Sequence, residues 1–181
     1  MNKFLYLLLF SVLLFLGCKS PDARKPISVK TGSFIDASVE RNKKLNATEQ
    51  ANIEKLLTDK QVNFIASESG FWYYYNTKSE IDTLKTPNFG DVISFNYNVK
   101  SLNGDIIYSQ DDLKLQSYAM DQEEIFTGLR EGLKLMKTGE TVTFLFPSQK
   151  AYGYYGDENK IGTNVPLICE VTLNNINKNN D

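Results

Sequence analysis

The sequence contains no histidine and only two cysteines, Cys18 and Cys169. Without histidine there is no imidazole general base, no His-activated serine or cysteine nucleophile, and no His-containing zinc site. If Cys18 is consumed as argued below, Cys169 is unpaired and no intramolecular disulfide can form. An excess of positive charge is missing too. The 20 Lys and Arg against 22 Asp and Glu give a net charge of −2. No basic block offers itself to a phosphate backbone, so nucleic acid is not an expected partner. Asp157, Glu158 and Asp181 lack metal-ligand spacing and read as solvated, and neither a metal nor a cofactor is expected.

The longest apolar run is short. Lys3 precedes Phe4 to Leu16, which is apolar or aromatic at every position but Ser11, and Gly17-Cys18 closes it. A bilayer-spanning helix needs about 20 apolar residues. This run fits the apolar core of an export signal instead. The ending Leu14-Phe15-Leu16-Gly17-Cys18 resembles a bacterial lipobox, in which the chain is cut before the cysteine and the thiol carries diacylglycerol. The expectation is a signal peptide over 1–17 and a lipid anchor to the membrane on Cys18. The alternative is an ordinary secretory signal with Cys18 incidental. Two or three acyl chains anchor stably, at about 0.8 kcal/mol per buried methylene. Lys19 stands where an Asp would resemble an inner-membrane retention signal, which points to the outer membrane, facing the periplasm.

Residues 18–45, with Pro21, Pro26 and Gly32 and no sustained periodicity, read as a flexible linker. Asn46-Ala47-Thr48-Glu49 reads as a capping box opening a helix to about residue 60, with Ile53, Leu56 and Leu57 on one face. Phe71 to Tyr75 reads as an aromatic strand, and the two together form an extension over 46–86. From Gly90 the pattern is regular. Ile93, Phe95, Tyr97 and Val99 alternate with polar residues, and Asn103-Gly104 signals a hairpin. Ile106 to Ser109 and Leu113 to Met120 read as strands. Leu129, Leu133 and Met136 predict a short helix capped by Thr127 and ended by Gly139. Val142, Phe144 and Phe146 alternate again, a loop spans 148–164, and Leu167, Cys169, Val171 and Leu173 form a last strand. Residues 177–181 read as a disordered tail. The fold class is α+β, an antiparallel sheet with one short helix packed on it.

Within 87–176 the motifs fall in a familiar order: Gly90-Asp91, Leu102-Asn103-Gly104, Ile125-Phe126-Thr127-Gly128-Leu129, Leu135-Met136-Lys137-Thr138-Gly139-Glu140, Pro147-Ser148, Ala151-Tyr152-Gly153 and Leu167-Ile168-Cys169-Glu170-Val171. This segment resembles the FKBP-type peptidyl-prolyl isomerases. The resemblance implies a five- to six-stranded antiparallel sheet wrapped on one helix, with a pocket between them and a helical extension ahead. With the lipid signal it resembles, more narrowly, the gliding-motility-associated isomerase lipoproteins of Bacteroidetes. That implies proline-containing polypeptide clients, the membrane, and gliding or secretion components as partners.

By resemblance, Tyr97, Phe126 and Tyr152 act on the substrate. Ile107, Tyr108, Gln116, Ile125, Leu129, Ile161 and Cys169 bind it. The Phe126 N–H would hold a substrate carbonyl and the Tyr152 hydroxyl would donate a second hydrogen bond. Five positions depart from the family. An aromatic followed by Asp is usual where this chain has Ile107-Tyr108, and Phe, Trp and Phe are common where it has Gln116, Leu129 and Cys169. These changes remove a carboxylate and widen the pocket. On pattern alone Tyr97 and Phe126 read as core residues, Tyr152 as a loop anchor and Cys169 as a small buried hydrophobe. A prolyl isomerase assisting exported proteins and a non-catalytic binding module or chaperone therefore both stand.

Overall fold

The computed structural model describes residues 32–59, 62–81 and 83–179. The expected signal peptide, Cys18 and residues 18–31 of the expected linker lie outside the described residues. Chain contacts divide the protein into two units, Met1–Glu40 and Arg41–Asp181.

The sheet has seven antiparallel strands: β1 (Ile65–Ala66), β2 (Trp72–Thr77), β3 (Val92–Lys100), β4 (Ile106–Tyr108), β5 (Gln116–Ala119), β6 (Thr141–Phe146) and β7 (Leu167–Asn177), in spatial order β1-β2-β6-β7-β3-β4. β5 pairs with the first half of β3. The long β3 and β7 form the centre, with Tyr97 opposite Val171 and Val99 opposite Cys169. Period-two alternation is what places them there. Ile93, Phe95, Tyr97 and Val99 are buried, and the residues between them are not. The aromatic strand β2 pairs with β6 along Trp72 to Thr77, so this part of the expected extension is an integral strand of the same sheet.

Two helices cover the two faces. The short α3 (Thr127–Leu133) buries Leu129 and Leu133, with Met136 just beyond, against Phe95, Phe144 and Phe146. Full burial of each such side chain stabilises by about 1.5–3 kcal/mol. Gly128 and Gly132 permit this contact: a Cβ at Gly128 would lie 2.5 Å from the Phe146 ring and 2.7 Å from the Lys150 carbonyl. On the opposite face, Ile53 of the long α1 (Gly32–Asp59) packs with Leu145 and Ile168, flanked by Leu56, Leu57, Trp72 and Leu102. β6 is thus buried on both faces, and its alternation of Phe144 and Phe146 with Leu145 sorts two cores.

Several expectations are corrected. α1 begins at Gly32, so residues 32–45 are helix and not linker. After Gly32 no Pro or Gly interrupts, and Ala37, Glu40, Arg41, Lys43, Lys44 and Leu45 are strong helix formers. Asn46 to Glu49 consequently lie in the helix interior and form no capping box; the Thr48 hydroxyl donates back to the Lys44 carbonyl at 2.9 Å. The expected strand from Leu113 to Met120 is instead the single turn α2 (Gln110–Leu113) followed by β5. Ser109 and Asp112 cap that turn reciprocally, at 3.1 and 3.0 Å. The N-cap of α3 is Phe126, in an extended conformation, and Thr127 is already helical. The tail is ordered through Asn179: β7 runs to Asn177, and the buried Asp91 accepts hydrogen bonds from Lys178 Nζ at 2.8 Å and the Asn179 N–H at 2.9 Å.

Candidate active site

Between the β3–β5 face and the start of α3 lies a cavity of about 700 Å³. Tyr97, Gln116, Ile125, Phe126 and Tyr152 line it together. β3 delivers Tyr97 because its odd positions face inward. Ile125 and Phe126 come from the extended approach to α3. Tyr152 sits on the turn that follows the 3₁₀ segment Ser148–Lys150. The close approach at Gly128 brings the last two groups together, with Phe126 and Tyr152 ring centroids 5.1 Å apart and Phe126 and Phe146 at 5.4 Å.

Three hydrogen-bond donors on this wall lack a partner among the described residues. The Phe126 N–H has no acceptor among the described residues, because it precedes the first turn of α3. The Tyr97 and Tyr152 hydroxyls likewise make no hydrogen bond there, yet neither is sealed from solvent. Burial pushes the Tyr152 phenol up to about 12, helped by Cys169, Asp157 and Tyr108 nearby. Burial also pushes Tyr97 upward, with Tyr152, Cys169 and Tyr108 adding to it. Both remain protonated donors at neutral pH. The site therefore brings the Phe95, Ile125 and Phe126 side chains together with three donors, the Phe126 N–H and the Tyr97 and Tyr152 hydroxyls, in a hollow whose wall also carries charged and polar side chains. The Cys169 thiol is fully buried and is held protonated by that burial.

The remaining sequence-expected residues divide. Leu129, Ile161 and Cys169 are buried in the main core rather than on the cavity wall. Ile107 and Tyr108 are half-buried and pack against that core, off the cavity wall. Asp157, which reads from sequence as solvated, is half-buried and accepts hydrogen bonds from the Tyr108 hydroxyl, the Ile161 N–H at 2.7 Å and the Asn159 N–H at 3.0 Å. Burial alone would raise this carboxyl. The bonds from Tyr108, Ile161 and Asn159 outweigh it and hold the group below the usual carboxylate range. Asn159 Nδ2 also donates to the Tyr108 oxygen at 3.0 Å, and Lys160 Nζ lies 4.7 Å from the Tyr108 ring centre. A carboxylate thus reaches Tyr108 from the 151–161 loop although the chain has none at position 108. Other wall residues were not anticipated: Phe95, Ser117, Tyr118, Glu123, Glu124 and Arg130. Phe95 was legible as inward-facing from alternation. Glu123 and Glu124 carry no pattern that distinguishes them from other surface acids.

Comparison with known proteins fits this geometry. The family model for the FKBP-type peptidyl-prolyl cis-trans isomerase matches residues 84–174. A probable FKBP-type peptidyl-prolyl cis-trans isomerase FkpA of Neisseria meningitidis is 28% identical over 89 residues, covering 49% of this chain and 32% of its own length. A probable FKBP-type isomerase of Haemophilus influenzae is 27% identical over 111 residues, covering 61% of this chain and 44% of its own length. The chain thus spans less than half the length of these curated relatives. Among solved structures, FkpA from Escherichia coli superposes with a TM-score of 0.57 at 22% identity, covering 98% of this chain and 82% of that one. A peptidyl-prolyl isomerase from Pseudomonas syringae gives 0.56 at 21% identity, covering 90% of this chain and 100% of the other. These two likenesses speak to the fold. A hollow between sheet and helix, the motifs that frame it and a family match across half the chain lead to one assignment: the chain belongs to the FKBP-type peptidyl-prolyl cis-trans isomerase family.

Proposed function

We propose that this chain catalyses cis-trans isomerisation of Xaa-Pro bonds in exported polypeptides. The observation that carries the reading is the convergence of Tyr97, Phe126 and Tyr152 on one cavity. Rotation about a prolyl amide meets a barrier of about 18–20 kcal/mol because it breaks amide resonance. No acid, base or nucleophile is required, only tighter binding of the twisted amide than of the planar one. The twisted amide is less polar. The apolar part of the wall, Phe95, Ile125 and Phe126, strips its water and therefore disfavours the planar form more than the twisted one. In this reading the prolyl ring enters between Tyr97, Ile125 and Phe126. The free Phe126 N–H takes a substrate carbonyl, and the Tyr152 hydroxyl donates a second bond that fixes the peptide. The Tyr108–Asp157 pair flanks the hollow. Gln116 borders the opening, and Leu129, Ile161 and Cys169 support the wall from the core.

The test is cis-to-trans conversion of a proline tetrapeptide by the purified chain. Accelerated conversion, weakened by Tyr152→Phe, is expected; a rate equal to the uncatalysed one overturns the reading. A second reading, binding of clients without turnover, is favoured by Tyr154 and Tyr155, which are 71% and 84% exposed on the loop that carries Tyr152. It predicts that the chain suppresses aggregation of an unfolded client while leaving the tetrapeptide rate unchanged.

We further propose attachment to the outer membrane through a lipid on Cys18, with the domain facing the periplasm and serving gliding or secretion components among its clients. Gly17-Cys18 directly closing the apolar run supports the anchor. Labelled fatty acid is expected to enter the wild-type chain and not Cys18→Ser. Equal labelling of both would contradict it.

A further inference from the structure

We propose that Glu49, on the helix ahead of the matched domain, is a positioning residue for Tyr152. The inference rests on the isomerase reading of the cavity. Glu49 lies in the interior of α1, where its carboxylate serves no cap of its own helix. It reaches instead to the start of the 3₁₀ segment Ser148–Lys150. There the Ser148 N–H donates to Glu49 Oε1 at 2.7 Å and the Ser148 hydroxyl to Oε2 at 2.6 Å. The N-cap of that segment is Pro147, which makes no side-chain cap bond. The first N–H of a helical turn has no partner within the turn. Glu49 supplies the missing cap from a different helix, 99 residues away in sequence.

The bonds continue directly to Tyr152. The Ser148 carbonyl accepts from the Ala151 N–H at 3.1 Å and the Gly153 N–H at 2.9 Å, the two residues on either side of Tyr152. Gly153, at φ +59°, passes the chain onward, and its carbonyl accepts from the Asn164 N–H at 2.8 Å. The Lys150 carbonyl abuts Gly128, so the same short turn also sets the approach of α3 and Phe126. Ser148 is 1% exposed, so its N–H and hydroxyl would lack partners without Glu49.

Docking of α1 alone does not call for this carboxylate. One turn along the same face, Ile53 is fully buried with Leu145 and Ile168 and already fixes the helix to the sheet. A bonded carboxylate sets a direction as well as a contact, because each of its two oxygens accepts one specific donor. α1 then acts as a brace of the active-site loop rather than a spacer.

The experiment uses the full chain and the proline tetrapeptide, at a temperature well below each variant's unfolding midpoint. Glu49→Met preserves apolar docking and removes both acceptors. Its kcat is expected to fall about tenfold with KM changed by less than about twofold, since a misplaced active-site group costs up to about 100-fold. The amide NMR signals of Ala151, Tyr152 and Gly153 are expected to shift. Glu49→Gln still offers an oxygen to the N–H and a donor to Ser148 Oγ, and is expected to stay within about twofold of wild type. Ser148→Ala, which removes one of the two bonds, is expected to lose about threefold; it carries the test should Glu49→Met not fold. Wild-type kcat in Glu49→Met or in Ser148→Ala, with unshifted signals at 151–153, overturns this inference alone. A Glu49→Gln chain as impaired as Glu49→Met overturns it too. An inactive wild-type chain overturns the isomerase reading and this inference with it.

Discussion

Two regions that flank the cavity are held by different physics. On one side Phe126 stands edge-on to Phe146 and tilted against Tyr152, and Phe146 stacks parallel on Phe144 at 5.4 Å. On the other, Tyr108 is fixed by Asp157, Asn159 and Lys160 through hydrogen bonds and charge. The first side depends on shape and loses stability when volume is removed. The second depends on charge and responds to pH. The difference teaches where this fold tolerates change. At Tyr108 a single carboxylate from a neighbouring loop holds the side chain, whereas a change at Phe146 would need the whole wall to repack.

The sharpest way to break the comparison is to cut the packed side. Phe146→Ala is expected to destabilise by about 3–5 kcal/mol, the usual cost of a buried Phe cavity, read as a lower midpoint in urea. A loss as small as that of a polar-side variant would contradict the contrast. On the polar side, Tyr108→Phe removes a bond to a charged partner and is expected to cost about 1.5 kcal/mol. Lys160→Met tests the least. Its contact with Asp112 is 3.9 Å and exposed, so a change below about 1 kcal/mol is expected in the same titration.

pH sharpens the comparison further. Asp157 is held below its ordinary value in the folded state. Its contribution is present above the ordinary carboxyl value of about 3.9 and is lost as pH falls through the folded value. The stability difference between wild type and Asp157→Asn is therefore expected to shrink below pH ~4, and a difference that grows there would contradict the sign. Tyr152 is shifted the other way, to about 12. Its contribution is fully present below the unfolded value of about 10 and is lost as pH rises from there through 12. Tyr152→Phe is expected to lessen the alkaline loss and leave the acid limb unchanged, as read by unfolding midpoints across pH.

How much of this was legible in the sequence follows the same division. β3 and β7 could be read because alternation is a local signal, and it alone turned Phe95, Tyr97 and Cys169 inward. The apolar positions of α3 were readable for the same reason. The clasps were not. Tyr108 and Asp157 are 49 residues apart, and Glu49 and Ser148 are 99 apart. Hydrogen-bond partners at such separations leave no periodicity, so Asp157 read as solvated and Glu49 as a cap of its own helix. The start of α1 was missed because Gly32 and two prolines before it suggested a linker, while the helix formers after it carried the stronger local preference.

The central claim is that a prolyl residue occupies the hollow bordered by Tyr97, Ile125, Phe126 and Tyr152. The measurement that addresses it most directly is NMR shift mapping of the full chain titrated with a proline tetrapeptide. The largest changes are expected at those four residues, with smaller ones at Gln116 and Tyr108. Changes confined to the opposite face, around Asn52, Lys55 and Leu102, or none at millimolar peptide, would contradict the account.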